Sequence, residues 1–172
     1  MKIISPLLSA TALGLFLTAC QTVPVTGRHG LMLVSVSQER EMGDKSYKET
    51  LAKSKLSTDE KAVAMVRRVG KRLAEASGRT DFAWEFNLIV EDKTINAWCL
   101  PGGKVAVYTG LLHVTKDEAG LAVVMGHEIS HALARHGAER MSQEMIAQSG
   151  AAVLSLALAS QAPETKALYE RA

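Results

Sequence analysis

The sequence predicts an α+β fold that is mainly helical and contains a small antiparallel sheet or hairpin. Three observations support this prediction. Apolar residues recur at helical spacing at Val63, Val66, Val69 and Leu73. Between Phe82 and Glu91 the apolar residues instead alternate with polar ones, as in a half-buried strand. A Pro-Gly-Gly turn at 101–103 then separates two short runs suited to strands. With 172 residues, of which 47% are hydrophobic, the chain is sized for one domain with a packed core.

The N-terminus reads as a targeting segment. Residues 1–19 carry one basic residue, Lys2, before an apolar run that is short for a membrane span and fits a secretory signal peptide. The run ends in Leu17-Thr18-Ala19-Cys20, which resembles a bacterial lipobox with cleavage before Cys20 and lipid added to its thiol. An ordinary signal peptide and an uncleaved anchor are the alternatives.

Lipidation of Cys20 would leave Cys99 as a lone thiol, best interpreted as a small buried apolar residue. The residue after Cys20 is Gln21 rather than Asp, which by resemblance to Gram-negative lipoproteins favours the outer membrane, with the domain facing the periplasm. Residues 20–36 are predicted to be a lipid-anchored tether, and residues 37–172 the folded domain.

We expect two helices at the N-terminal end of the domain. The first is predicted from Ser37, as its N-cap, to about Lys53. The second should begin with a capping box formed by Ser57 and Glu60 and end at Gly78.

The segment 96–110 should fold as two short strands around the Pro-Gly-Gly turn, forming a hairpin next to the following helix. An edge strand there could hold a peptide in extended form through its backbone amides, with Asn96, Ala97 and Gly103 as candidate substrate contacts. A purely structural hairpin is the equal alternative.

A helix from about Lys116 to Arg135 should follow, and another from about Ala138 to Ala159. The second is rich in small apolar residues from 150 to 160. It is best interpreted as a packing helix, with a membrane-dipping segment as the alternative.

The chemistry of the chain is indicated by His127-Glu128-Ile129-Ser130-His131. On a helix, His127 and His131 share one face and can bind one zinc ion per chain. Glu128 stands beside them, where it can act as a general base. The alternative is a chance match to a short pattern. His136 lies about 140° around a continuous helix from His131, so it is not predicted to join the same metal shell.

Two other classes are excluded. The metzincin pattern fails because Ala134 and Gly137 occupy the positions that would need Gly and His. Nucleic-acid binding has no support, because the net charge is only +2 and no basic patch with interleaved aromatic residues occurs.

Four motifs occur in an order that resembles HtpX-like and Oma-type zinc endopeptidases, in particular their bacterial periplasmic lipoproteins. They are Asn96-Ala97, Leu100-Pro101-Gly102-Gly103, Tyr108-Thr109-Gly110-Leu111-Leu112 and the His127–His131 motif. The resemblance covers roughly residues 37–149. It implies a gluzincin-type fold and metal-dependent endopeptidase activity on misfolded or damaged envelope proteins. It also implies that His127 and His131 are zinc ligands and that Glu128 is the general base.

One part of the family pattern is missing. Members supply a third ligand, a Glu on a later helix in a Glu-x-Glu-Ala-Asp-like motif, and no such motif occurs here. The downstream glutamates are Glu139, Glu144, Glu164 and Glu170. We therefore expect the chain to be truncated at its C-terminus. A catalytically incomplete, lipid-anchored chaperone-like or assembly-binding module is the alternative function.

Overall fold

A computed structural model of the chain describes residues 20–23, 27 and 29–159. The predicted signal peptide, Glu164 and Glu170 lie outside these residues. The strands are β1 (Cys20–Thr22), β2 (His29–Leu31), β3 (Glu85–Ile89), β4 (Ala97–Leu100) and β5 (Lys104–Tyr108). The helices are α1 (Val36–Lys53), α2 (Glu60–Ser77), α3 (Thr109–Thr115), α4 (Glu118–Leu133) and α5 (His136–Ala159). The mainly helical α+β prediction is confirmed.

The central sheet has the strand order β3-β5-β4. The predicted hairpin is present as the antiparallel pair β4 and β5, with Ala97 opposite Val107 and Leu100 opposite Lys104. Strand β3 pairs with β5 in parallel, so the sheet is mixed rather than wholly antiparallel. Because β5 is inserted between the other two strands, β4 is left at the edge of the sheet.

Helices cover both faces of this sheet. On one face, α2 and α4 pack against Phe86, Leu88, Val105 and Val107 to form the main apolar core. On the other face, Tyr47 of α1 packs against Ile89 and Ala106. The alternation predicted for β3 therefore understates its burial, because Ile89 on the expected polar face is covered as well. The central strand β5 is enclosed from both sides.

The capping residues of α1 and α2 agree only in part with those predicted from the sequence. Gly78 caps α2 in the left-handed conformation (φ 65°), as predicted. Two N-caps differ from their predictions. Ser35, not Ser37, caps α1 through a capping box with Gln38. Asp59 caps α2 by accepting from the Ala62 amide at 3.1 Å, while the Ser57 hydroxyl accepts from the Asp59 amide at 3.2 Å.

The segment predicted to be a tether is packed against the domain where the structure describes it. Strands β1 and β2 form an antiparallel ribbon. Val23 and Met32 are buried against Ala134 and Ala138, which flank the start of α5. Within the described part of the chain, no helix is both long and apolar enough to cross a membrane.

Candidate metal and active site

Helix α4 presents the histidine motif on the side opposite its apolar face. Leu121, Met125 and Ile129 follow one another at four-residue spacing and are buried in the main core. His127 is two residues from Met125 and therefore lies about 200° around the helix from it. His127 and His131 are accordingly exposed, and Glu128 is half-buried. The core fixes the rotation of the helix and thereby aims the two imidazoles outward.

The N-terminus of α4 is fixed by an N-cap hydrogen bond and by a close backbone contact. Asp117 accepts a hydrogen bond from the Gly120 amide at 2.8 Å and forms the N-cap. Gly120 lies so close to the Thr115 carbonyl that a side chain there would clash with the backbone. The predicted start near Lys116 is thus correct to within two residues.

The two imidazoles face each other through their Nε2 atoms, which are 3.0 Å apart. With zinc–nitrogen bonds of about 2.0–2.1 Å, two nitrogens on one tetrahedral ion lie about 3.3 Å apart. The rings are nearly perpendicular, at 87°, so both nitrogens can point to one position. The donor set therefore fits two ligands of a zinc ion.

A third ligand is not found among the described residues. No group of three or more His, Cys, Asp or Glu side chains there has an arrangement that could hold a metal. Of the two described downstream glutamates, Glu139 lies against Gly30 and Glu144 lines a groove between α1 and α5. Neither lines the cleft that contains Glu128.

That cleft has a volume of about 520 Å³ and runs between α4 and the sheet. One wall carries Glu128, His131 and His136; the opposite wall is the edge strand β4 and its turn, through Trp98, Cys99, Leu100 and Pro101. The structure thus places the candidate general base directly across from the edge strand.

The three candidate substrate contacts differ in which of their groups could reach a substrate. Asn96 is exposed, and its Oδ1 accepts from the Ala97 amide at 2.9 Å. The Ala97 side chain is buried, so only its backbone could meet a substrate. Gly103 is buried at the turn; its amide donates to the Leu100 carbonyl and its carbonyl accepts from the Glu85 amide. Gly103 therefore has no free backbone group, and we do not retain it in the proposed site.

Cys99 lies half-buried at the same wall. Burial raises the pKa of the Cys99 thiol to about 12, and the nearby Glu128 carboxylate adds to the shift. The protonated thiol packs against the main core, as predicted for a small apolar residue.

The position of His136 differs from the one that a continuous helix predicts. The predicted helix to Arg135 was too long: α4 ends at Leu133, and Arg135 adopts a left-handed conformation (φ 57°) before α5 begins. This break turns His136 back, so that its Nδ1 lies 2.6 Å from Nδ1 of His131. His136 contacts the His131 ring on the side away from His127, and its exclusion from the metal shell stays a prediction.

Comparisons with known proteins identify the architecture. A profile described as peptidase family M48 matches residues 60–169. This chain belongs to peptidase family M48. Within the family, it is similar to the mitochondrial metalloendopeptidase OMA1 of Schizosaccharomyces pombe, with 38% identity over 130 residues. That match covers 74% of this chain and 38% of the relative.

Two further M48 relatives come from distant organisms. The beta-barrel assembly-enhancing protease of Escherichia coli is 29% identical over 147 residues, which cover 83% of this chain and 30% of the relative. The mitochondrial metalloendopeptidase OMA1 of Homo sapiens is 30% identical over 132 residues, 73% of this chain and 25% of the relative. The chain thus spans well under half the length of these relatives. Membership of M48, a metallopeptidase family, confirms the resemblance to Oma-type enzymes.

Proposed function

We propose that this chain is a zinc-dependent endopeptidase that hydrolyses peptide bonds in proteins of the cell envelope and works in their quality control. The observation that carries the proposal is that Glu128 and His131 line one cleft opposite an open sheet edge, while Nε2 of His131 faces Nε2 of His127. Membership of M48 supports the reaction class. The name of the E. coli relative, which refers to β-barrel assembly, supports an envelope setting.

Each residue of the motif has a role that follows from its position. His127 and His131 would hold zinc through Nε2. When bound, such an ion acts as a Lewis acid that polarises a carbonyl oxygen and makes water more acidic. Glu128, at the cleft wall, would accept a proton from the attacking water and deliver it to the leaving amine. Glu128 is half-buried in this wall, so the carboxylate faces the cleft without filling it.

The edge strand supports an extended substrate. Tyr108 donates to the Asn96 carbonyl, so these two residues form a hydrogen-bonded pair of the antiparallel ladder. Hydrogen-bonded pairs alternate with non-hydrogen-bonded pairs along such a ladder. Ala97 and Cys99 therefore belong to non-hydrogen-bonded pairs, and their own N–H and C=O groups point away from β5. A substrate strand added at this edge would bond to Cys99, and its scissile bond would then face Glu128.

Glu128→Gln tests the reaction. The variant keeps the shape of the side chain and removes the base, so we expect cleavage of a casein-type substrate to fall by about 100-fold or more. Zinc binding should persist. Glu118→Gln, on the same helix but outside the cleft, is the control and should keep full activity. Equal proteolysis by the Glu128→Gln variant would exclude the role given to this residue.

A second pair of variants tests the edge strand. Proline at position 99 removes the amide that faces the open edge and leaves the bonds to β5 intact. We expect Cys99→Pro to raise KM for peptide substrates well above that of Cys99→Ala. Equal KM values for the two variants would show that substrates do not pair with β4.

The proposed location is an outer-membrane lipid anchor at Cys20, with the domain facing the periplasm. In a Gram-negative host, Cys20→Ser should abolish labelling by a palmitate analogue and release the chain from the membrane fraction. Cys99→Ser is the matched control. Labelling that persists in the Cys20→Ser variant would reject the anchor.

A lipid-anchored chaperone-like or assembly-binding module is the second candidate. The observation that favours it is the absence of a three-ligand metal cluster among the described residues, since catalytic zinc sites usually have three protein ligands. Zinc titration combined with a chelator-sensitive cleavage assay separates the two. Tight zinc binding in a one-to-one ratio with cleavage supports the enzyme. Binding of unfolded envelope proteins without tight zinc supports the module.

A further inference from the structure

We propose that His136 is a positioning residue that fixes the tautomer and orientation of His131. The inference rests on the proposed function, since it concerns the zinc ligand His131. It adds a residue outside the His-Glu-x-x-His motif to the machinery of the site. Its basis is the contact between the two Nδ1 atoms, at 2.6 Å.

The direction of this hydrogen bond follows from the requirements of a ligand. A neutral imidazole carries one proton, and the nitrogen that binds a metal must offer its lone pair. Nε2 of His131 faces Nε2 of His127, so the proton of His131 must lie on Nδ1. The acceptor for that proton is Nδ1 of His136. His136 is then itself protonated on Nε2.

The opposite arrangement would disable the site. If His136 donated from Nδ1, His131 would carry its proton on Nε2, directed at His127. Its lone pair would then point away from the metal position. Metal-binding histidines are usually fixed by a carboxylate, a carbonyl or water on the second nitrogen. Here an imidazole lies at that place, and its ring centroid is 4.8 Å from that of His131.

The backbone break at Arg135 is what makes the contact possible. On a continuous helix His136 would point about 140° away from His131. Arg135 instead adopts φ 57°, a conformation that non-glycine residues rarely adopt. Its guanidinium holds the break in place by donating to the Glu39 carboxylate at 3.0 Å and to the Val34 carbonyl at 3.0 Å. The chain before α1 and α1 itself therefore brace the residue that brings His136 to His131.

The experiment compares metal affinity and tautomer in the purified full chain. Zinc dissociation constants are measured at neutral pH by competition with a chromophoric chelator, for wild type, His136→Phe and His136→Asn. We expect His136→Phe, which keeps an aromatic ring but has no acceptor, to bind zinc about 10–100-fold more weakly. His136→Asn can accept through Oδ1 and should retain most of the affinity. His113→Phe, at an exposed histidine on α3, is the control and should bind as wild type does.

Nitrogen-15 NMR of the imidazoles, recorded without metal, gives the second readout. We expect His131 to be protonated on Nδ1 in wild type and in His136→Asn, and to become a tautomer mixture in His136→Phe. Circular dichroism confirms that each variant is folded. Equal zinc affinities for wild type and His136→Phe, or an unchanged His131 tautomer, overturn the inference. Failure of the wild type itself to bind zinc overturns the proposed function instead, and the NMR comparison still decides whether His136 sets the tautomer.

Discussion

Arg135 and Glu39 form a buried ion pair across 96 residues of sequence, with Nε of Arg135 3.0 Å from Oε2 of Glu39. Both side chains are largely shielded from water, at 11% and 4% exposure. Burial raises the pKa of Glu39, and the hydrogen bond and charge of Arg135 oppose that rise. The pair joins α1 to the break between α4 and α5, and therefore to the candidate site.

Removing one partner of this pair should be costly. Glu39→Gln keeps the shape but leaves the Arg135 charge without its carboxylate. We expect a loss of about 3 kcal/mol in the free energy of unfolding, as for other broken buried pairs. Urea unfolding followed by circular dichroism measures it.

The matched control is an exposed pair on the same helix. Lys48 and Asp44 are in contact at 2.6 Å on the surface of α1. Because solvent screens this exposed pair, Lys48→Gln should cost much less stability than Glu39→Gln. Equal losses for Glu39→Gln and Lys48→Gln would show that burial does not strengthen the pair at Arg135.

Gly43 links α1 to the wall of the cleft. A Cβ placed there would lie 2.6 Å from the carbonyl oxygen of Pro101, a backbone atom that cannot easily move aside. We expect Gly43→Ala to destabilise the chain by about 1–3 kcal/mol, as overpacked sites do, although alanine favours helices. Thermal or urea unfolding provides the measurement.

At Gly150, on α5, a Cβ would have free space, in contrast to Gly43. Among the described residues, no atom other than the nearby backbone of α5 itself lies within 4 Å of a Cβ placed there. Gly150→Ala should stabilise the helix by about 0.5–1 kcal/mol. A stabilising Gly43→Ala would mean that α1 does not approach the Pro101 turn as closely as described.

The functional helix could be predicted because its determinants are local. Spacing alone puts His127 and His131 on one face, and the buried positions Leu121 and Met125 follow from the same period. The hairpin at 97–108 could also be predicted, because the Pro-Gly-Gly turn and the flanking strands are continuous in sequence. A glycine such as Gly43 weakens a helix by its local propensity, and only the close approach of the Pro101 carbonyl explains its presence.

What could not be predicted depends on contacts between distant segments. No local pattern specifies that β3 pairs in parallel with β5, because that choice depends on how α2 and α4 cover the sheet. The end of α4 is the clearest case. The sequence around Arg135 has good helix formers, yet the bonds from its side chain to Glu39 and Val34 stabilise a left-handed residue. The position of His136 followed from that break.

Cys99 should be unreactive in the folded chain. Because burial raises the pKa of its thiol to about 12, very little thiolate exists at neutral pH. In a Cys20→Ser background, labelling by N-ethylmaleimide should be slow under native conditions and fast in urea, as followed by mass spectrometry. Rapid labelling of the native chain would show that the wall of the cleft opens around this residue.

Acid should destabilise the fold through Asp81. The hydrogen bonds from Arg79 hold the pKa of Asp81 well below its usual range, and Arg40 adds to the effect. A carboxylate with a lowered folded-state pKa stabilises the fold above its unfolded pKa, and this stability is lost progressively as the pH falls below about 4 towards the folded-state pKa. The free energy of unfolding should therefore fall more steeply over that range in wild type than in Asp81→Asn, as measured by urea titrations at several pH values. Glu49→Gln, at an exposed glutamate on α1, should follow the wild-type slope. The same slope in Asp81→Asn and wild type would mean that solvent screens this ion pair completely.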